Sequence, residues 1–223
     1  TAYIYEPLLN IGKSYSTDAA CSGALLIENF SNDATGWTSS NGIWDTTFTP
    51  GWIIGPWSAL SILTRDGGNY SDFSYSARLS TSNLAGAMGL VFRVQDSNNY
   101  YRFAMQGASP HYVLERVAGG ITTTVASAEG VAYTANRVSH LEVRATGSTF
   151  TMFVDGREVL NGSDSTYSSG TAGLYVSWNN ASFDDVLVTK LGDAGCTVQV
   201  NDLITYTLTI SNQNRITGQN LVI

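Results

Sequence analysis

The sequence is short of charge, and this shortage narrows the classes of function. Only 13% of the 223 residues are Asp, Glu, Lys or Arg, against about 25% in an average soluble protein. Lys and Arg number 11 and Asp and Glu 18, so the formal net charge is −7. The basic residues form no cluster, so nucleic-acid binding is not expected.

Long apolar runs and helical periodicity are also missing. The longest runs, such as Gly89–Phe92 and Val186–Val188, have the length of single strands, so no membrane insertion is expected. No window keeps an apolar period of about 3.6 residues, whereas a period of two recurs. The alternating segments are Phe73–Leu79, Leu90–Val94, Tyr101–Met105, His140–Arg144, Thr149–Val154 and Phe183–Val188. They predict an all-β protein.

Cysteine is scarce, with Cys21 and Cys196 as the only pair. Two interpretations are open. The thiols are free and buried, or they form a disulfide. The cysteine-poor composition, which is typical of a secreted protein, favours the disulfide.

Glycine and turn-forming residues are plentiful. The strongest hairpin signal is Asp155–Gly156, because a two-residue turn with positive φ favours Asp or Asn followed by Gly. Strands separated by some 8 to 12 residues predict a sandwich or barrel.

One set of motifs, between about Ala24 and Leu191, resembles the concanavalin-like, laminin-G-like jelly rolls of bacterial surface proteins and carbohydrate-binding modules. The matching segments, in chain order, are Glu28–Phe30, Gly36–Trp37, Ser71–Ser74, Gly89–Arg93, Asp96–Phe103, Leu141–Arg144, Phe153–Gly156, Gly170–Tyr175 and Phe183–Val188. The resemblance implies a jelly-roll β-sandwich.

A second resemblance concerns the two ends of the chain. Val198–Asn212 is similar to the second and third strands of the Ig-like repeats on bacterial and archaeal surfaces, and Leu9–Lys13 to their first strand. We therefore expect a jelly roll at 22–195 inserted into an Ig-like domain formed by 1–21 and 196–223. Cys21 and Cys196 would then flank the insertion, and a disulfide there would pin its entry and exit together.

The Ig-like part is expected to be incomplete, because three strands leave an open sheet edge and an unpaired apolar face. Either the chain is truncated or neighbouring copies supply the missing strands.

Enzymatic activity is not expected. Glycoside hydrolases with a jelly-roll shape need two carboxylates about 5 to 9.5 Å apart, and no run of the type Glu-x-Asp-x-x-Glu is present. His111 and His140 have no metal-site spacing.

The jelly-roll resemblance implies a structural Ca²⁺ between the first and last strands. Glu28 and Asp184 occupy the corresponding positions, and the turn containing Gly67 offers carbonyl oxygens, which are hard ligands. The alternative is that both carboxylates face solvent.

Arg93, Tyr101, Arg102 and Trp178 are the candidate ligand-binding residues. Strand alternation places Arg93 on the face of the sheet opposite Phe92, and Tyr101 on the face opposite Arg102. A concave sheet would therefore present Arg93 together with either Tyr101 or Arg102. Cross-strand packing of Arg on Tyr explains the same residues. Trp178 is expected to be exposed in a loop, whereas large aromatics such as Trp37 and Trp44 are expected in the core.

Two hypotheses about function follow. The first is a non-catalytic, extracellular carbohydrate-binding or adhesion module of a surface protein, with a glycan or cell-surface polysaccharide as partner. The alternative is a structural subunit of an extracellular filament or surface layer, completed by strand exchange between neighbouring copies.

Overall fold

The computed structural model describes residues 24–31, 33–49, 51–130 and 132–191, together with the backbone of the strands Leu9–Tyr15 and Tyr206–Asn212. These residues form sixteen strands, numbered β1 to β16 in chain order, and no helix. Among them no helix is long and apolar enough to cross a membrane. The chain divides into two compact units, one of Thr1–Ser22 with Ala194–Ile223 and the other of Gly23–Asp193.

The first unit contains a two-stranded antiparallel sheet. β1 (Leu9–Tyr15) pairs with β16 (Tyr206–Asn212), in a register that sets Leu9 against Asn212. Cys21 and Cys196 lie outside the described residues, so their disulfide stays a prediction. The assignment of this unit to an Ig-like domain, and the insertion boundaries, also stay predictions.

The second unit is a sandwich of two antiparallel sheets. Sheet I has the order β10-β9-β8-β7-β14-β5-β3. Its strands are β3 (Trp37–Ser39), β5 (Ser61–Arg65), β7 (Ala87–Asp96), β8 (Asn99–Gln106), β9 (Tyr112–Ala118), β10 (Ile121–Ala128) and β14 (Thr171–Ser177).

Sheet II has the order β13-β12-β11-β6-β15-β2, with β4 paired to β15. Its strands are β2 (Ala24–Glu28), β4 (Ile53–Ile54), β6 (Phe73–Ser80), β11 (Ser139–Thr146), β12 (Thr149–Val154), β13 (Arg157–Ser163) and β15 (Ser182–Lys190). The predicted all-β sandwich is thus confirmed.

The core lies between the two sheets and follows the alternation of the sequence. On β6 the apolar side chains of the core are Phe73, Tyr75, Ala77 and Leu79. Each large apolar side chain of this kind contributes about 1.5–3 kcal/mol when it is fully buried. Tyr75 crosses the core, and its hydroxyl donates a hydrogen bond to the carbonyl oxygen of Gly173 at 2.6 Å. This buried polar group is therefore satisfied.

The predicted hairpin at Asp155–Gly156 is present. It joins β12 to β13, and both residues have positive φ, 51° for Asp155 and 77° for Gly156. A residue with a Cβ rarely adopts this conformation, and Asp and Gly are the types that tolerate it.

Candidate functional site

Arg93 lies inside the sandwich, and the expectation that it faces away from Phe92 is wrong. The pairing of β7 with β8 shifts register after Phe92, and Arg93 has φ 48°. This bulge turns its guanidinium inward, 5.0 Å from the ring centre of Phe150, which Phe92 also contacts. The guanidinium donates hydrogen bonds to three carbonyl oxygens, those of Ser71, Gly147 and Tyr167. Its side chain is only 1% exposed, which argues against contact with a ligand.

Tyr101 and Arg102 lie on opposite faces of sheet I, as strand alternation predicts. Tyr101 is buried in the core, and its hydroxyl donates to a carboxylate oxygen of Asp164 at 2.6 Å. Arg102 pairs with Glu115 across β8 and β9 and lies 4.9 Å from the ring centre of Tyr175. The structure therefore does not bring Arg102 together with Arg93 or Tyr101. Their predicted role in ligand binding stays a prediction.

Trp178 is exposed, in a turn directly after β14. The residue is 56% exposed, yet its backbone is held on both sides. Its N–H donates to the carbonyl oxygen of Ser58 at 2.6 Å, and its own carbonyl oxygen accepts from Asn83 Nδ2 at 3.1 Å. Its φ is 49°, a conformation that non-glycine residues keep only where neighbours impose it. The indole is therefore exposed to solvent, and the backbone that carries it is held in place.

The next residue, Asn179, fixes this turn from inside and is fully buried. Its Oδ1 accepts a hydrogen bond from Thr81 Oγ1 at 2.8 Å. Its Nδ2 donates to the carbonyl oxygen of Ala85 at 2.9 Å and to the hydroxyl oxygen of Tyr133 at 3.3 Å. The sequence marks Asn179 and Asn180 only as a loop signal, because the partners of the buried amide come from distant segments.

Two loops that hydrogen-bond the Trp178 backbone also carry exposed apolar side chains. Trp57 is 59% exposed and precedes Ser58, whose carbonyl oxygen binds the Trp178 N–H. Leu84 is also exposed and follows Asn83, whose side chain binds the Trp178 carbonyl oxygen. We call Trp57 and Trp178 the aromatic patch.

A cavity of about 400 Å³ lies at the same end of the sandwich. Tyr133 lines it and connects it to the Trp178 turn, because its hydroxyl donates to the carbonyl oxygen of Ala85 and accepts from Asn179. This volume falls within the range of about 300–1,000 Å³ that small-molecule sites occupy.

The lining of the cavity combines aromatic rings with charged groups. Tyr112 and Tyr133 supply the rings, and burial raises the pKa of both phenols, so they stay neutral. Arg137 forms an ion pair with Asp155 at 2.8 Å, and the backbone N–H of His140 donates to the same carboxylate. Rings together with planar hydrogen-bonding groups can bind both the apolar faces and the hydroxyls of a sugar.

The predicted calcium ligands have separate partners. Glu28 accepts hydrogen bonds from the backbone N–H of Phe30 and the indole N–H of Trp37. Asp184 lies 3.9 Å from Arg78. Gly67 lies in the turn after β5, a strand of sheet I, whereas Glu28 and Asp184 belong to strands of sheet II.

No cluster of three or more His, Cys, Asp or Glu side chains that could hold a metal occurs in the described part of the chain. The calcium ion, with Glu28, Asp184 and Gly67 as its ligands, stays a prediction.

Solved structures that share this fold include two from Bacillus subtilis. A carbohydrate-binding module, CBM66, from Bacillus subtilis superposes with a TM-score of 0.63 at 27% identity, over 70% of this chain and 96% of the module. A Bacillus subtilis protein of unknown function with a galectin-like fold gives a TM-score of 0.61 at 12% identity, over 80% of this chain and 98% of its own.

Sequence comparisons point the same way. A levanase from Bacillus subtilis (strain 168) is 28% identical over 160 residues, which are 70% of this chain and 23% of the levanase. The chain thus spans less than a quarter of that relative. The model of the 3-keto-alpha-glucoside-1,2-lyase-like domain matches residues 27–189. Since this match covers well over half of the chain, the protein belongs to the 3-keto-alpha-glucoside-1,2-lyase-like domain family.

Proposed function

We propose that residues 24–191 form a non-catalytic carbohydrate-binding module of an extracellular protein, and that a sugar ring stacks on Trp178. The observation that carries this proposal is the exposed indole on a backbone held by Ser58 and Asn83. Exposed apolar side chains carried on neighbouring loops are a common mark of a ligand-binding surface.

The rigid setting of Trp178 favours affinity. A turn whose backbone is already held loses little backbone freedom when the ligand arrives. The indole stacks on the apolar face of a sugar, while Arg137 and Asp155 in the adjacent cavity bind hydroxyl groups. Stacking supplies affinity, and the hydrogen bonds supply orientation.

The comparisons support this choice of ligand class. The solved module that aligns over 96% of its length is named for carbohydrate binding, and the other relative is a levanase. We therefore take levan, the polysaccharide for which that relative is named, as the first candidate ligand. An extracellular site of action fits a polysaccharide partner, which lies outside the cell.

Affinity gel electrophoresis in levan tests the proposal with the Trp178→Ala variant. We expect levan to retard the wild-type chain and to bind the variant about tenfold or more weakly, because a stacked Trp is worth about 1.5–3 kcal/mol. The control is Phe48→Ala, which removes an aromatic ring that is 80% exposed outside the aromatic patch. Equal retardation of wild type and Trp178→Ala would contradict the proposal.

A second candidate is hydrolase or lyase activity, which the family description favours. Glu129, Asp155 and Glu158 also place three carboxylates around the cavity. Cleavage of a 3-keto-α-glucoside, or release of new reducing ends from levan, by the wild type and its loss in Glu129→Gln or Glu158→Gln would establish it. The filament alternative receives no support from the comparisons.

A further inference from the structure

A second cavity lies on the face of sheet I that is turned away from the core between the sheets. Its volume is about 450 Å³. Ile62 and Val94 belong to its lining and to a second buried cluster, separate from the main core. We call this cavity the polar groove, because hydroxyls, carboxylates and an amide line most of it. They include the side chains of Thr38, Thr64, Asp66, Gln95, Asp96 and Thr171.

The two carboxylates of the polar groove are oriented by neighbouring donors. Asp66 Oδ1 accepts a hydrogen bond from Thr38 Oγ1 at 2.8 Å. Asp96 accepts from the backbone N–H of Asn98 at 2.7 Å and from Asn99 Nδ2 at 2.9 Å. An ionised carboxylate has about four lone-pair sites, so both retain capacity for further donors.

The charge of the groove selects among ligands. Its one guanidinium, that of Arg65, donates from Nη1 to the carbonyl oxygens of Thr35 and Gly36, and the two carboxylates of the groove outnumber its single positive charge. Asp66 and Asp96 then leave a negative rim that disfavours anions. A neutral ligand with many hydroxyl groups fits best, because O–H donors form strong hydrogen bonds with carboxylates.

The polar groove and the aromatic patch lie at opposite ends of β7. Ala87 begins this strand close to the Trp178 turn, and Asp96 ends it at the groove. Nine steps of about 3.3 Å would span about 30 Å in a regular strand, and the bulge after Phe92 shortens this separation. Several linked sugar rings can bridge such a span.

We infer that the polar groove is a second saccharide-binding site, so that one polysaccharide chain engages the module at two points. This inference rests on the proposed function for its ligand class but not on Trp178 as the stacking residue. Two linked contacts raise the affinity for a polymer well above the affinity for a short oligosaccharide.

Backbone amide NMR, with oligofructosides prepared from levan as the probe, tests this inference. We expect shifts at Gly67 and Ser97 in the groove, in addition to shifts at Trp178. The double variant Asp66→Asn/Asp96→Asn should lose the groove shifts, keep those at Trp178 and bind levan about tenfold more weakly. The control is Asp185→Asn, an exposed change on sheet II with the same chemistry.

The outcomes separate the two proposals. Shifts at Trp178 alone would overturn the second site and leave the proposed function intact. Groove shifts without any change at Trp178 would support the second site and contradict the stacking role of Trp178. If the groove amides respond to CaCl₂ and not to the saccharide, the groove is a cation site and the inference is wrong.

Discussion

Each end of the sandwich contains a buried polar side chain that hydrogen-bonds several loops, but the two side chains have different roles. At one end, the buried guanidinium of Arg93 binds three carbonyl oxygens and closes the core. At the other end, the buried amide of Asn179 binds Thr81, Ala85 and Tyr133. The first network stabilises the core, whereas the second fixes the turn that exposes Trp178. A buried polar side chain that binds loops together is therefore structural where it closes the core, and functional where it fixes a turn that exposes a binding residue.

Removing Arg93 should have the largest effect on stability. The Arg93→Met variant leaves three carbonyl oxygens without their charged donor, so we expect a loss of about 3–5 kcal/mol in the free energy of unfolding. Urea denaturation measures this loss. Arg144→Met is the control, because Arg144 is half exposed and its contacts, an ion pair with Glu142 and stacking on Phe153, lie at the surface. Its loss should be about 1 kcal/mol or less. Equal effects of the two variants would refute the contrast between the ends.

Removing the Asn179 amide should affect both stability and binding. We expect Asn179→Ala to lower the free energy of unfolding by about 1–3 kcal/mol, because the partners of the amide lose their hydrogen bonds. The same variant should bind levan more weakly, since the Trp178 turn loses its support. Asn180→Ala, at the exposed neighbouring position, is the control. A destabilised variant with undiminished affinity at low temperature would show that Asn179 does not position Trp178.

A smaller effect concerns acid pH at the Arg93 end. Burial alone would raise the pKa of Asp164, but hydrogen bonds from Thr166 and Tyr101 and the charge of Arg116 together lower it. A carboxyl group with a lowered folded-state pKa stabilises the fold above its unfolded pKa, and this contribution is lost as the pH falls through the folded pKa. Asp164→Asn should therefore flatten the fall in melting temperature in acid. An unchanged slope would count against this network.

The strands could be predicted from the sequence because the core follows simple alternation. Phe73 to Leu79 alternate as expected, and Asp155–Gly156 forms the predicted hairpin. The burial of Trp37 and the exposure of Trp178 also agree with the sequence analysis.

The position of Arg93 could not be predicted, because a bulge after Phe92 breaks the alternation on which the prediction depended. Bulges leave little trace in a single sequence. The partnership of Asn179 with Tyr133 joins residues 46 positions apart, and no local pattern reports such a contact. The cavity lined by Tyr112 and Tyr133 could not be predicted for the same reason, because its wall comes from separate strands and loops.

A crystal structure of the chain with a levan oligosaccharide tests the central claim most directly. The account predicts a sugar ring stacked on the indole of Trp178, with hydroxyl groups directed to Arg137 and Asp155. An oligosaccharide bound elsewhere on the sandwich, with Trp178 bare, would contradict it.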